Sequence, residues 1–504
     1  MLQYITQALP EVFTLQNLIL INVGMMIGII FGSIPGLNGN LAIVVLIPFT
    51  FHMETVSSIL MLCSIFFGSN FGGSISAILI STPGTNNAAA TILDGYPLAQ
   101  KGYPMKALST ALIASSFGGF FSAVCLLFFS VPIAKAAMLM QSPEYFMISL
   151  FGLSIIIFVS GKNLVKGIIS GAIGILLSTV GLDSVSGLTR FTFGNMYLMN
   201  GLSVVALLLG MFAISQMIER VVKPEAVKAS FLKKSDANDR LSRQEKKSLV
   251  PTMLRGSFIG SLIGALPGTG GAIAAFISYN EASRRAKKNE HFGEGEIKGI
   301  AASESANNGA TCCVLIPLLT LGIPGDIVAA TLMSALTMHG LIVGPQLFTN
   351  SGTTVYAIIV GCLFAQLFMF LQGKYLLKLF VKTTQIPYDL MTALLVVICC
   401  AGAYSINGMV IDVIVMVIFG IFAYLTMMVD YPTVPFILGL ILGSTAESYL
   451  RNSMVVLKGN WLGFFQRPVC VALIIILIAI FVLSRRNEKR NKEEIQKPAQ
   501  ESCG

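Results

Sequence analysis

Apolar runs close to the roughly 20 residues needed to cross a hydrocarbon core recur from residue 15 to residue 484, and the polar stretches between them leave no room for a sizeable soluble domain. The pattern predicts an all-α polytopic membrane protein. Full crossings are expected near 106–133, 145–160, 164–182, 201–218, 355–373, 388–405, 408–429, 432–447 and 468–484. Other stretches do not fit simple helices. Residues 251–280 hold two apolar arms of about 12 residues, each half a span, on either side of Pro267-Gly268, and read as a re-entrant hairpin. Residues 12–51 repeat that pattern around Pro35-Gly36 from the opposite side. Residues 56–93 and 299–343 must each make one net crossing, yet Pro83-Gly84 and Pro324-Gly325 interrupt them, so both are candidate broken helices.

The two halves match in sequence as well as in hydropathy. Gly32-Ser33-Ile34-Pro35-Gly36-Leu37-Asn38-Gly39 parallels Gly264-Ala265-Leu266-Pro267-Gly268-Thr269-Gly270-Gly271 at an offset of 232 residues. Downstream, Pro83-Gly84 with Ala89-Ala90-Thr91 answers Pro324-Gly325 with Ala329-Ala330-Thr331, and Pro143-Glu144-Tyr145 answers Pro387-Tyr388-Asp389. One hairpin, one broken crossing and four ordinary crossings give each repeat an odd number of net crossings, so the second must be inverted. The expected organisation is repeat 1 (1–218), a cytoplasmic linker (219–250), inverted repeat 2 (251–466), an extra C-terminal transmembrane helix (467–484) and a basic cytoplasmic tail (485–504). Inverted repeats with discontinuous helices meeting near the midplane are characteristic of secondary transporters.

Composition agrees. Hydrophobic residues make up 55% of the 504 and charged residues 11%, against about 25% in soluble proteins. The net charge of +9 comes from short loops rather than from one folded face, so it reports topology, not nucleic-acid binding. Placing the basic clusters in the cytoplasm puts 28 of the 33 Lys and Arg residues inside and leaves Lys135, Arg190, Arg451, Lys458 and Arg467 outside. That assignment sets the N-terminus outside and the C-terminus in the cytoplasm. The N-terminal residues lack the positive region of a cleaved signal peptide, so the first apolar run is expected to be retained. The nine cysteines show neither disulfide-framework nor zinc-site spacing, and no phosphate-binding loop or catalytic constellation suggests an ATPase or another enzyme.

Non-helical backbone at membrane depth persists only against protein or an aqueous cavity. The four Pro-Gly breaks are therefore the candidate substrate site: Pro35, Gly36, Asn38, Gly39, Asn40, Ser81, Thr82, Pro83, Gly84, Thr85 and Asn86 in the first half, and Pro267, Gly268, Thr269, Gly270, Asn307, Asn308, Pro324 and Gly325 in the second. Asn87 and Ser303 add polar groups beside them. Half-helix N-termini after the breaks suit carboxylate groups, and no Lys or Arg is available there as a clamp. One Pro-Gly alone reads as a packing kink; matched recurrence marks the set. Gly72, Gly73 and the glycines from Gly256 to Gly264 read as close-packed helix interfaces. Glu304, Thr311 and Asp326 are candidates for Na⁺ or H⁺ coupling, with helix capping at the water interface as the competing reading for the two acids. Asp94, Asp412 and Glu447 are expected at interfaces. No cofactor is expected, and no metal beyond a transported Na⁺.

Several runs together resemble TctA, the large permease subunit of the tripartite tricarboxylate transporter family. These are Gly32-Ser33-Ile34-Pro35-Gly36-Leu37, Phe71-Gly72-Gly73-Ser74-Ile75-Ser76 leading to Pro83-Gly84-Thr85, Leu93-Asp94-Gly95-Tyr96-Pro97, Glu304-Ser305-Ala306-Asn307-Asn308, and Ile316-Pro317-Leu318 through Pro324-Gly325. The resemblance implies a permease that works with a small TctB-like membrane subunit and a periplasmic TctC-like solute-binding protein. It also implies import of citrate or another carboxylate on a cation gradient, usually Na⁺, across a bacterial or archaeal cytoplasmic (inner) membrane, with the N-terminus periplasmic. Leu37-Asn38-Gly39-Asn40 departs from the glycine- and threonine-rich sequence expected after the first Pro-Gly and bears on substrate preference. A stand-alone carrier of carboxylates or amino acids, and a channel or flippase, remain as alternatives.

Overall fold

Apolar periodicity becomes helix almost everywhere in the computed structural model, which describes residues 2–34, 37–154, 156, 164–183, 186–222, 239–267, 270–383 and 388–478. In chain order the helices are α1 (Leu2–Val12), α2 (Leu15–Ser33), α3 (Gly39–Thr50), α4 (Thr55–Ile80), α5 (Ala89–Gln100), α6 (Pro104–Ala137), α7 (Ser142–Leu153) and α8 (Leu164–Ser178). There follow α9 (Val204–Val222), α10 (Arg243–Gly264), α11 (Gly270–Arg284), α12 (Ile297–Thr311), α13 (Leu315–Leu321) and α14 (Ile327–Met338). The last are α15 (Gly352–Thr383), α16 (Tyr388–Asn407), α17 (Val410–Met428), α18 (Thr433–Val456) and α19 (Pro468–Ile478). Among the described residues seven helices, α2, α4, α6, α9, α15, α17 and α18, are long and apolar enough to cross a membrane, and the chain is a multi-pass membrane protein. Residues 223–238 of the expected linker, Pro35, Gly36, Gly268, Thr269 and Pro387, and everything after 478 lie outside the described residues.

The chain divides into two compact units, each drawing on both halves of the sequence: Met1–Ala137 with Val205–Tyr424, and Met138–Val204 with Leu425–Gly504. In the first unit the helices before and after each of the first and third Pro-Gly positions are unequal in length. α2 has 19 residues and is predominantly apolar, whereas the 22 of α10 exceed its apolar arm because its polar start is helical as well; Thr14 caps α2, and a Ser242–Glu245 capping box starts α10.

Contacts along α2 and α4 advance together. A β-carbon on Gly24 would lie 2.4 Å from the carbonyl oxygen of Met61, on Gly28 2.3 Å from that of Ile65, and on Gly32 2.2 Å from that of Ser69, so the two helices run parallel with their backbones touching. α3 returns antiparallel alongside α4: Gly39 rests on Ser69, and Ser58 Oγ donates to the Thr50 carbonyl at 3.2 Å. The second half builds the same unit. Gly256 meets Ala302, Gly260 meets Ala306 at 2.2 Å and Gly264 meets Ala310 at 2.6 Å, while α11 returns with Gly271 beside Asn307 and Ser278 Oγ donating to the Ala302 carbonyl at 2.8 Å. The first helices of the two units are offset by 232 residues, and the facing helices by 241. After each unit the chain folds back at its Pro-Gly: Gly84 packs on Gly73, donating its N–H at 3.3 Å, and Gly325 packs on Val314 at the same offset.

In the second unit α8 and α18 meet through glycine as well, with a β-carbon on Gly174 only 1.9 Å from the Phe436 carbonyl oxygen. A two-residue ribbon pairs Gly181–Leu182 with Thr189–Arg190. Arg190 and Arg451 share Asp183 and Glu447 at 2.6 to 2.9 Å. Arg467 binds Glu144 at 2.8 Å, and Glu144 also closes a capping box on Gln141. Three of the five basic residues that charge counting leaves outside, Arg190, Arg451 and Arg467, are thus paired with acids.

Gly28→Ala and Gly260→Ala should each lower stability by about 1–3 kcal/mol, the usual range for overpacking, because the atom to be displaced is a main-chain oxygen. The thermal midpoint of the detergent-solubilised chain reads this; two unchanged midpoints would mean the helices can part freely.

Candidate functional site

α12 is buried on every side from Gly299 to Thr311 although it carries Ser303, Glu304, Ser305, Asn307, Asn308 and Thr311. A helix this polar survives burial only where other protein groups meet its side chains. Glu304 is fully buried, and its two oxygens accept from different helices: Oε1 from Thr91 Oγ1 of α5 at 2.5 Å, and Oε2 from Ser115 Oγ of α6 at 2.8 Å. Thr91 also reaches Ser303 Oγ at 3.0 Å, and Asn308 Nδ2 lies 3.4 Å from Glu304 Oε2. No Lys, Arg or His among the described residues forms an ion pair with Glu304. The carboxylate therefore sits among neutral donors contributed by both halves of the sequence.

One step along α12, Asn307 is fully buried with neither amide atom partnered. Its Oδ1 lies 2.9 Å from where a β-carbon on Gly271 would stand, and so does Asn87 Nδ2; Gly271 is the second residue of α11. Asn87 donates to Asn70 Oδ1 of α4 at 3.0 Å, and one turn further along α4 Gly73 packs on the Thr85 hydroxyl, which is buried and unpartnered. Asn70, Thr85, Asn87 and Asn307 thus gather where α11 begins. Its first residue, Gly270, holds a φ of +66 with open space around its α-carbon, a conformation that glycine adopts at little cost. Asn308 Oδ1 is also buried and unpartnered, while the Nδ2 of the same amide faces Glu304.

The remaining predicted positions separate into groups. Asn38 caps α3, accepting from Leu41 N–H at 2.8 Å, and Gly39 is pressed against Ser69. Asn40 Oδ1 accepts from Thr331 Oγ1 at 2.6 Å across the two halves. Asp326 caps α14 through Ala329 N–H at 2.7 Å, which realises the capping alternative for this residue. Thr311 turns its hydroxyl back to the Asn308 carbonyl at 2.7 Å. Ser81, in a left-handed conformation at the end of α4, Thr82 and Asn86 are exposed, whereas Gly84, Pro324 and Gly325 are buried at their breaks and Pro83 and Pro267 half-buried. Pro35, Gly36, Gly268 and Thr269 lie outside the described residues.

Sequence reasoning missed Thr91 and Ser115 as partners of Glu304, because a lone hydroxyl in an apolar helix carries no signal of what it faces. It also placed Asp94 at an interface. The structure buries Asp94 completely: Oδ1 accepts from the N–H groups of Gly293, Gly295 and Glu296, each at 2.8 Å, and Oδ2 from the Tyr279 hydroxyl at 2.9 Å. This one carboxylate fixes the loop joining α11 to α12. Within that loop burial tends to raise the Glu290 carboxyl, but the Lys298 ammonium and the Lys287 N–H outweigh it and hold the group below the usual carboxylate range.

The family model described as "Tripartite tricarboxylate transporter TctA family" matches residues 18–438. An uncharacterized 52.8 kDa protein in the TAR-I ttuC' 3' region of Agrobacterium vitis is 34% identical over 478 residues, which is 95% of each chain. An uncharacterized protein in the TAR-II ttuC' 3' region of the same organism is 34% identical over 235 residues, 47% of this chain and 97% of its own length. No solved structure matches the chain.

Asp94→Ala leaves three backbone donors and a phenol without an acceptor, at a cost of about 1–3 kcal/mol for each buried group. The expected outcome is a lower thermal midpoint and new protease sensitivity between residues 285 and 296, partly restored by Asp94→Asn; wild-type resistance in Asp94→Ala would show that the loop is held by other contacts.

Proposed function

Because the chain belongs to the tripartite tricarboxylate transporter TctA family, we propose that it is the large permease subunit of a binding-protein-dependent secondary transporter that imports citrate or another carboxylate on a Na⁺ or H⁺ gradient. Its partners are then a small TctB-like membrane subunit and a periplasmic TctC-like solute-binding protein, in a bacterial or archaeal cytoplasmic membrane. The observation that carries the substrate class is Asn307. A fully buried amide with both ends unpartnered costs several kcal/mol unless a ligand completes it, and this one stands beside the start of a 15-residue helix. Helix N-termini present N–H groups and the positive end of the dipole, which favour a carboxylate group without any arginine. Asn70, Thr85 and Asn87 add neutral donors and acceptors around the same point.

Inverted repeats with re-entrant hairpins are part of this proposal. Support comes from which helices travel together. α3 runs alongside α14, joined by Asn40 to Thr331 and by Thr50 to His339 at 3.0 Å, and α11 runs alongside α5, joined at Asn87 and Asp94. Since α3 opposes α4 and α11 opposes α12, the matched helices of the two halves point in opposite directions. Such a pair can exchange conformations between outward and inward access.

The test is uptake of labelled citrate into proteoliposomes holding the chain and its small subunit, with and without the binding protein, under imposed Na⁺ or H⁺ gradients. Uptake should require both gradient and binding protein, and Asn307→Ala should raise the half-saturating substrate concentration by about tenfold or more, the effect of losing a hydrogen bond to a charged group. Uptake without the binding protein would favour a stand-alone carrier, and an unaltered Asn307→Ala would remove Asn307 from the site.

A further inference from the structure

The glycine contacts fix which residues of the two halves correspond. Gly24, Gly28 and Gly32 meet Met61, Ile65 and Ser69, and Gly256, Gly260 and Gly264 meet Ala302, Ala306 and Ala310, so each residue of α4 answers the one 241 positions later in α12. Under that correspondence Ser303, Glu304, Asn307 and Asn308 answer Leu62, Cys63, Phe66 and Phe67, all buried. The partner of the acid changes as well: Ser115 of α6 reaches Glu304, whereas Cys362 of α15 faces Cys63. A backbone built twice therefore carries polar chemistry at this level once.

We infer that the chain holds one cation site, formed by Glu304 with Thr91, Ser115, Ser303 and Asn308, and that the matching place in the first half, where buried Cys63 is followed one turn on by buried Phe66 and Phe67, is closed to ions. A buried carboxylate with no basic partner is strongly disfavoured unless a cation joins it. Oxygen is at hand from the two carboxylate oxygens and three hydroxyls, and the Asn308 amide, which now turns its Nδ2 to Glu304, carries an Oδ1 that has no partner in the protein and would join on rotation of the amide. Oxygen donors of this kind suit a hard monovalent ion, Na⁺ or a proton, and not a soft metal. A thiol and two phenyl side chains supply neither charge nor oxygen. The ion's role in coupling rests on the transport reading above; its binding does not.

The test counts ions on the purified full-length chain without substrate, gradient or partner, so it can succeed even if citrate uptake fails. One arm measures ²²Na⁺ bound per chain in potassium buffer, and the other compares proton titration of wild type with Glu304→Gln. The expected result is one cation per chain in one of the two arms, absent in Glu304→Gln, weakened by about tenfold in Ser115→Ala through loss of a hydrogen bond to the carboxylate, and unchanged in Cys63→Ser. Ser115→Ala retains the acid and so reports on the site should Glu304→Gln fail to fold. Two cations per chain, one that survives Glu304→Gln, or none in either arm would overturn the assignment.

Discussion

Main chain pressed against main chain is the constraint on which the first unit depends. At Gly28 and Gly260 the facing carbonyl oxygen lies where a side chain would begin, so each parallel pair closes to a distance that only glycine allows. Helices in lipid gain little from burying apolar surface and must associate through such close packing. Once α10 and α12 are locked backbone to backbone, α11 can fold back along α12 and bring Gly271 to Asn307. The polar site is thus a consequence of apolar geometry: α12 is sheathed by glycine contacts and by α6, and it can carry Glu304, Asn307 and Asn308 because lipid does not reach it.

Much of this was legible in the chain. The Pro-Gly recurrence marked the turns at Gly84 and Gly325, and the packing reading of the glycines from Gly256 to Gly264 is what the structure shows. The first-half partners of those glycines, Gly24 and Gly28, went unremarked, since a glycine every fourth residue in an apolar run looks the same whether it faces lipid or a helix. Glu304 was legible as an acid at membrane depth, but Thr91 and Ser115 were not, because partnership between α5, α6 and α12 is set by tertiary packing and leaves no mark on local pattern. The partners of Asp94 were hidden for a related reason. An acid near a predicted helix end looks solvated, and only the fold shows three N–H groups converging on it. Hydropathy also shortened the hairpin arms, since the polar start of α10, from Arg243 to Arg255, is helical without being apolar.

Repetition of the backbone with divergence of the side chains separates two roles that a strict repeat would merge. Both halves keep the glycines, which sustain the architecture, while residues projecting from the shared frame are free to differ. Phenylalanine at 66 and 67 fills by dispersion the volume that asparagine at 307 and 308 leaves to polar partners. Thr331 spends its hydroxyl on Asn40, knitting the halves together, rather than on an acid. At the level of Glu304 the second half thereby holds the charge, and the first supplies the hydroxyls of Thr91 and Ser115 that reach across to it.

Adjacent residues on one rigid helix then offer a physical route between ion and substrate. Asn308 lies against Glu304, and Asn307, the next residue back, faces the start of α11. In a close-packed interior small shifts are not absorbed locally. A cation at Glu304 would draw the Asn308 amide to turn its unpartnered oxygen toward the ion, and any rotation of α12 that this entails moves Asn307 relative to Gly271. Five helices, α4, α5, α6, α10 and α11, pack on that single segment, so ion and carboxylate would be sensed by the same few atoms rather than through a long chain of contacts.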